Sequence, residues 1–336
     1  MINAPTDGER SSVLILTHDE DRTAERVAAE LASRGVRVIQ MDAADFPTRV
    51  AMAAEFDQAT ALWRGRLSGS TRAGRPVSVD LEDVAGVYFR RPTQFELADG
   101  MSGPERVFAY GEARRGLGGV LMGAGCTWVN DPAHAMACEY KPVQLAAAAA
   151  SGLRVPRSVV TSDEDHAVRW AKRLGRPVVY KPLGGMWVPE EGQVRVLYTT
   201  VVDDLAALNE GGLGLTAHLL QEWIDKAYEV RAIVVRDRVF AVAIHSDTPA
   251  GRTDWRADYD SLRYDVADLS AEVTANLITL HRRLGLAYGA CDLIVTPDDE
   301  VVFLETNQGG EWGWLAAACD LPIASALADV LQGGPS

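Results

Sequence analysis

Asp292, Glu305 and Asn307 are the residues whose types and spacing point most directly to chemistry. Cys291 to Thr296 and Val301 to Thr306 read as two apolar strands around Pro297-Asp298-Asp299-Glu300, an antiparallel hairpin. A four-residue loop closed by Thr296 and Val301 sets Asp292 opposite Glu305, with Asn307 two residues on. Side chains alternate along a strand, so the three oxygen-bearing groups share one face. Hard oxygen donors in that number suit Mg²⁺, which takes one or two carboxylates and fills its shell with water and phosphate. The competing reading is a solvated strand face carrying two repelling acids. Leu293, Ile294, Val302 and Phe303 speak against it, because a buried hairpin makes stray carboxylates costly.

Two further segments suit a nucleotide. Val178-Val179-Tyr180-Lys181 is an apolar strand ending in one of four lysines, the others being Lys141, Lys172 and Lys226. It leads to Gly184-Gly185, whose backbone N–H groups could approach phosphate. Between Gln221 and Arg231 a strand end passes through a short connection into another strand. Backbone near Glu222, Trp223 and Ile224 could read a purine edge, and Glu229 could accept from ribose hydroxyls. Surface charge at a strand end is the other reading of these acids.

Such residues need strands to aim them. Val13 to Leu16, a helical pattern through Val27 and Leu31, Gly35, and Val36 to Ile39 predict a β-α-β opening. Thr17-His18-Asp19-Glu20 fills its first turn, so the G-x-G-x-x-G dinucleotide fingerprint is absent. A strand at Val84 to Phe89 and a helix at Pro104 to Met122 complete this unit. The pattern next predicts helices at Lys141 to Ala150, Asp163 to Leu174 and Asp203 to Asn209, with Ser162 and Asp165 as a capping-box-like start to the second. Strands fall at Val155 to Val160, Val178 to Lys181 and Val196 to Val201. Hairpin strands at Ala232 to Val235 and Val239 to Ile244 follow, with helices at Ser270 to Leu284 and Ala316 to Leu331. The expected organisation is α/β with α+β subdomains, divided at 1–125, 126–215 and 216–336.

The chain has 336 residues, 47% hydrophobic and 24% charged, the composition of a folded soluble protein. Acids outnumber Lys and Arg 47 to 33, for a net charge of −14. That balance argues against gripping duplex nucleic acid, which needs a broad cationic surface. No secretion signal or membrane-length apolar run is visible, and Cys126, Cys138, Cys291 and Cys319 form no C-x-x-C pair. A soluble cytoplasmic protein with reduced thiols is the expectation.

In this order, the motifs over residues 130 to 320 resemble the ATP-grasp superfamily of carboxylate–amine and carboxylate–alcohol ligases. The resemblance implies an ATP-grasp fold with an N-terminal Rossmann-like pre-ATP-grasp subdomain. It implies ATP phosphate contacts from Lys141 and Lys181, a lid at Gly184-Gly185, an adenine hinge at Gln221, Glu222, Trp223 and Ile224, and ribose on Glu229. It also implies two Mg²⁺ ions on Asp292, Glu305 and Asn307. Val87-Tyr88-Phe89-Arg90-Arg91-Pro92, Asp254-Trp255-Arg256 and Glu305 to Trp314 are similar to segments of the graspetide synthetases, which crosslink ribosomally made peptides. Glu311 departs from that pattern, standing where an uncharged Gln is expected. The implied reaction phosphorylates an Asp or Glu side chain of a leader-bearing precursor peptide; a Thr or Ser hydroxyl or a Lys amine of the same peptide then attacks. Arg231, Arg256 and Arg263 are the candidates beside Lys181 for stabilising the transferred charge. Arg90, Arg91, Trp255, Trp312 and Trp314 are candidate peptide contacts. The resemblance is compatible with a homodimer. A ligase that joins an amino acid to a protein or small-molecule carboxylate, and a non-catalytic ATP-binding module, are the alternatives.

Overall fold

The computed structural model describes residues 11–184, 187–190, 193–196, 199–202, 212–248, 251, 253–257 and 261–333. Gly185 and the helix expected at Asp203 to Asn209 lie outside the described residues.

The first unit contains β1 (Ser12–Thr17), α1 (Arg22–Ser33), β2 (Arg37–Met41), β3 (Val50–Asp57), β4 (Leu62–Ser70), β5 (Pro76–Asp80), β6 (Val84–Arg91), α2 (Gly103–Met122) and β7 (Thr127–Val129). Its main sheet has the order β2-β1-β6-β7 with parallel pairing throughout. β1 is apolar on both faces because both are covered. Val13 and Ile15 join Val27 and Leu31 of α1, while Leu14 and Leu16 join Leu117 and Leu121 of α2 and the inner side of the β3-β4-β5 meander. β7 carries this sheet past residue 125, so the expected first division falls short of the unit's last strand.

The second unit contains α3 (Pro132–Cys138), α4 (Lys141–Ala150), β8 (Ser158–Thr161), α5 (Glu164–Leu174), β9 (Val178–Lys181), β10 (Trp187–Glu190), β11 (Gln193–Val196), β12 (Thr200–Val202) and β13 (His218–Glu222). Its antiparallel sheet runs β12-β9-β13-β8, and β10 pairs with β11 in a separate hairpin. β13 lies beyond the expected division at 215. Ala167, Ala171 and Leu174 of α5 pack on Val178 and Leu220. The cap of α5 is Asp163, whose side chain accepts from the His166 N–H, rather than Ser162.

The third unit contains β14 (Tyr228–Val235), β15 (Arg238–His245), β16 (Arg263–Val266), α6 (Ala271–Leu284), β17 (Tyr288–Val295), β18 (Val301–Asn307), α7 (Gly313–Cys319) and α8 (Ile323–Leu331). Its sheet, β16-β15-β14-β17-β18, is antiparallel. Val230, Ala232 and Val234 pack with Ala148 of α4 and Leu277 and Leu280 of α6. Ile233 and Val235, on the other face, meet the core shared with α1 and α8. The single helix expected from Ala316 to Leu331 is two helices, because Asp320 takes a left-handed conformation (φ 51°) and Pro322 cannot continue the preceding turn.

The units interlock. α4 packs on the third sheet and α8 on the first, so neither sheet is completed by its own segment alone. Asn130 ties them by donating to the carbonyls of Tyr288 and Gln308 and accepting from the N–H groups of Ala287 and Tyr288. No helix of the described residues is long and apolar enough to cross a membrane, and all four cysteines are free thiols.

The α8–β6 contact is tight enough that a Cβ on Gly86 would collide with the Leu331 carbonyl, whereas one on Gly118 of α2 would meet nothing. Gly86→Ala should therefore destabilise by about 1–3 kcal/mol through overpacking. Gly118→Ala should add about 0.4–1 kcal/mol by restricting the unfolded chain. Urea unfolding midpoints check both, and equal midpoints would refute the close approach.

Candidate active site

A cleft of about 700 Å³ opens where the second and third sheets meet, lined by Lys141, Lys181, Ile224, Glu229, Asp292 and Glu305 among others. Strand ends create it. β9 delivers Lys181 at its C-terminus, β13 runs into the 223–227 connection, and β14 and β17 place Arg231 directly beside Asp292. β18 sets Glu305 opposite Asp292.

The last pairing arises by an unexpected route. Near the turn the partners are Val295 with Val301 and Leu293 with Phe303, one residue out of the register that pairs Asp292 with Glu305. A bulge between Asp292 and Leu293 takes up the difference, so Leu304 has no partner in the ladder and Glu305 arrives on the cleft face.

Cations surround the two acids. Arg231 Nη1 lies 2.7 Å from Asp292 Oδ1, Lys141 Nζ 2.9 Å from Glu305 Oε2, and Arg256 Nη2 touches Asp292 and lies 3.4 Å from Glu305 Oε1. The Arg256 guanidinium lies over the Trp255 ring at 4.9 Å, and Trp255 packs on Trp314 with centroids 5.6 Å apart. Asp254 accepts from the Arg256 N–H at 3.1 Å and fixes the turn that carries it. A Cβ on Gly310 would press on Ala290 and on Arg231 Nη2, so the glycine leaves room for that guanidinium.

Burial works against ionisation of Glu305, but Lys141, Arg256 and Lys181 outweigh it and hold the carboxyl down at about 2. The Lys181 ammonium is pushed below the ordinary lysine range by burial; Glu305 counteracts this and Lys141 adds to it. Glu229 is raised by burial, against the pull of Lys226, which contacts it. Arg256 is held charged more firmly than an ordinary arginine: Asp292 and Glu305 overcome its burial.

Among the described residues no group of three or more His, Cys, Asp or Glu could hold a metal ion. The candidate donors are two carboxylates and one amide, Asn307, whose Oδ1 accepts from the Gly309 N–H at 3.0 Å. Each carboxylate oxygen meeting a cationic side chain keeps a second lone pair. An all-oxygen set without thiolate or imidazole fits a hard ion of the Mg²⁺ kind and not a zinc-type ion.

At the hinge, the Trp223 N–H donates to the Pro177 carbonyl. The Glu222 carboxylate accepts from the backbone N–H and Nε of Arg157, and Gln221 donates to Ser158, so these side chains brace β13. Ile224 is buried, lines the cleft, and among the described residues its N–H makes no hydrogen bond. Gly184 lines the cleft mouth.

Three sequence candidates lie elsewhere. Arg263 sits on edge strand β16 with its side chain 66% exposed and faces Asp247. Trp312 is 1% exposed inside the core with Tyr88 and Tyr288. Arg90 is buried between Asp21 and Glu311 and donates to the Gly309 carbonyl, bracing the loop after β18. Arg91, Trp255 and Trp314 do line the cleft. Glu311 accepts from Arg90, Arg91 and Thr23. Sequence reasoning gave no role to Lys226, Asp254 or Gln144. The scarcity of lysine could have flagged the first, whereas Gln144 in an alanine-rich helix carries no signal.

Because Glu305 lies at about 2 against an ordinary 4.5, ionisation stabilises the fold; that contribution is complete above pH 4.5 and lost as pH falls toward 2. Acid unfolding followed by tryptophan fluorescence should have a shallower pH dependence across that window in Glu305→Gln. Superimposable slopes would contradict the cationic clamp.

Residues 12–136 match the family model described as the MvdD pre-ATP grasp domain. The whole fold is similar to a RiPP-associated ATP-grasp ligase of Chryseobacterium gregarium, solved with ADP and a leader and core peptide (TM-score 0.85, 28% identity, 97% of this chain and 98% of that one). It is also similar to macrocyclase MdnC of Microcystis aeruginosa, solved with precursor peptide MdnA (TM-score 0.80, 26% identity, 96% and 100%). Glutamate–LysW ligase ArgX of Sulfurisphaera tokodaii is 21% identical over 220 residues, 63% of this chain and 75% of that protein. Residues 12–136 are thus an MvdD-type pre-ATP-grasp domain by their match, and the whole chain, with the cleft between its sheets, is built like the ATP-grasp ligases associated with ribosomal peptides.

Proposed function

We propose that the protein is an ATP-dependent macrocyclase of a ribosomally made precursor peptide, with a leader segment held apart from the reacting core. The observation that carries this reading is Arg256, stacked on Trp255 and suspended between Asp292 and Glu305 at the edge of a cleft that also holds Lys141 and Lys181. A guanidinium fork there can take a side-chain carboxylate beside a nucleotide phosphate.

In the reaction a peptide carboxylate oxygen attacks the γ-phosphorus of ATP, and ADP leaves. A Thr or Ser hydroxyl, or a Lys amine, of the same peptide attacks the acyl carbon; phosphate departs and the nucleophile loses its proton. One water is removed from the peptide per ring. Lys141 and Lys181 bind phosphate oxygens, Ile224 offers its backbone to adenine, and Glu229 accepts from ribose. Arg231 orients Asp292, while Arg256 holds the substrate carboxylate against the charge developing in transfer. Asp292, Glu305 and Asn307 would hold the Mg²⁺, two ions on the resemblance, which would neutralise phosphate charge. Arg91 and Trp314 contact the peptide, and the partner is a peptide rather than a nucleic acid.

The likeness to a glutamate–LysW ligase supports a second reading, in which the acyl group passes to a separate amine. The likeness of the whole fold to a macrocyclase solved with its precursor peptide favours the cyclase.

Mass spectrometry of an acid- and hydroxyl-rich peptide with its leader, incubated with ATP and Mg²⁺, should give losses of one water per ring that need both ATP and leader. With free amino acids added, a gain equal to the mass of one amino acid less one water would favour the ligase. Asp292→Asn, Glu305→Gln and Lys181→Ala should abolish the loss. Arg256→Ala should slow it about 10²–10³-fold, the range for removing one donor to developing charge. Arg263→Ala should keep the original rate, and a large loss there would overturn its placement outside the site.

A further inference from the structure

β18 is the last strand of its sheet, so among the described residues one edge of the strand bearing Glu305 and Asn307 has no neighbouring strand. Such an edge must be covered or its backbone groups stay unpaired. Toward the turn the cover is main chain: the Phe303 N–H donates to the Arg154 carbonyl at 2.8 Å. At the cleft end it is one side chain. Gln144 Oε1 accepts from the Thr306 N–H and Gln144 Nε2 donates to the Thr306 carbonyl, both at 2.9 Å. The amide thus makes the pair of bonds a strand neighbour would make. It is itself anchored, donating also to the Cys138 carbonyl, and it is buried.

Thr306 is gripped from its other end too. Its side chain points away from the cleft to His281, with Oγ1 at 3.3 Å from Nε2. His281 Nδ1 lies 2.9 Å from the Leu277 carbonyl, which can only accept, so Nδ1 carries the proton and Nε2 is free to accept the threonine hydroxyl. Thr306 therefore has its N–H, carbonyl and hydroxyl held, while the residues on either side turn their oxygens into the cleft.

We propose that Gln144 and His281 are positioning residues that clamp Thr306 from behind and so fix the spacing of the Glu305 and Asn307 oxygens, setting the site's affinity for a divalent cation. The inference rests on Asp292, Glu305 and Asn307 being the cation donors. Gln144 lies one turn from Lys141 on α4, so the same helix that presents an ammonium to Glu305 also holds the backbone beside it. Groups that orient metal ligands without touching the metal change its affinity by about 10–100-fold when removed.

The test titrates Mg²⁺ against the full chain with a fluorescent ADP analogue, recording half-saturating Mg²⁺, analogue affinity without metal, and thermal unfolding. Gln144→Met should raise half-saturating Mg²⁺ about tenfold or more while leaving metal-free affinity unchanged. Thr306→Val should move it the same way and Thr306→Ser should restore it, which keeps the test usable where Gln144→Met does not fold. Original Mg²⁺ dependence in both Gln144→Met and Thr306→Val would overturn the proposal, as would equal losses with and without metal. Glu305→Gln separates the levels: unchanged Mg²⁺ dependence there would remove the cation site itself.

Discussion

The cost of keeping Asp292 and Glu305 charged inside the protein governs the rest of the structure. Isolated carboxylates out of water lose several kcal/mol each, and only paired cations with good hydrogen-bond geometry offset that. Here Arg231, Arg256 and Lys141 come from a neighbouring strand, a loop held by Asp254, and a helix of the preceding unit. No two of them lie on one element, so the site exists only when the units are assembled. That explains why α4 crosses to pack under the third sheet and why Asn130 ties the first sheet to the strand leading to Asp292. The packing that holds the domains together also brings the compensating charges to the acids.

The same constraint accounts for what the sequence made legible. Long apolar runs with turn residues between them mark β1, β9, β14, β17 and β18, since buried strands must be apolar and their ends must turn. Asp292 and Glu305 stood out because they interrupt such runs. The pairing was inferred from loop length, and the loop is not what sets it: a bulge at Leu304 restores a register the turn had shifted. Spacing identified the partners but not the backbone that aligns them.

What stayed hidden depends on contacts between distant segments. The 50–80 meander went unread because its strands alternate small, polar and charged residues on an exposed face. Arg263 and Arg256 are equivalent as sequence, and only the loop geometry puts one over Trp255 and the other at a solvent-facing edge. Trp312 and Trp314 are two residues apart, yet one is sealed in the core and the other lines the cleft. The cap of α5 turned on which of two adjacent side chains reaches the His166 N–H, and the break at Asp320 to Pro322 on a left-handed residue followed by a proline.

The distribution of lysine resolves the tension between an acidic chain and an anionic ligand. Of four lysines, Lys141, Lys181 and Lys226 line the cleft and Lys172 is exposed on α5. Positive charge over the rest of the surface is carried by arginine, much of it engaged with neighbouring carboxylates, as at Arg34, Arg66 and Arg238. An ammonium is a compact point donor that adapts to phosphate oxygens, whereas guanidinium forks lock onto planar carboxylates. A net charge of −14 therefore does not describe the potential a nucleotide meets. Under the proposed function the acids outside would repel long polyanions and the ammonium groups inside would suit a single nucleotide, since local field rather than total charge decides binding in a low-dielectric cleft.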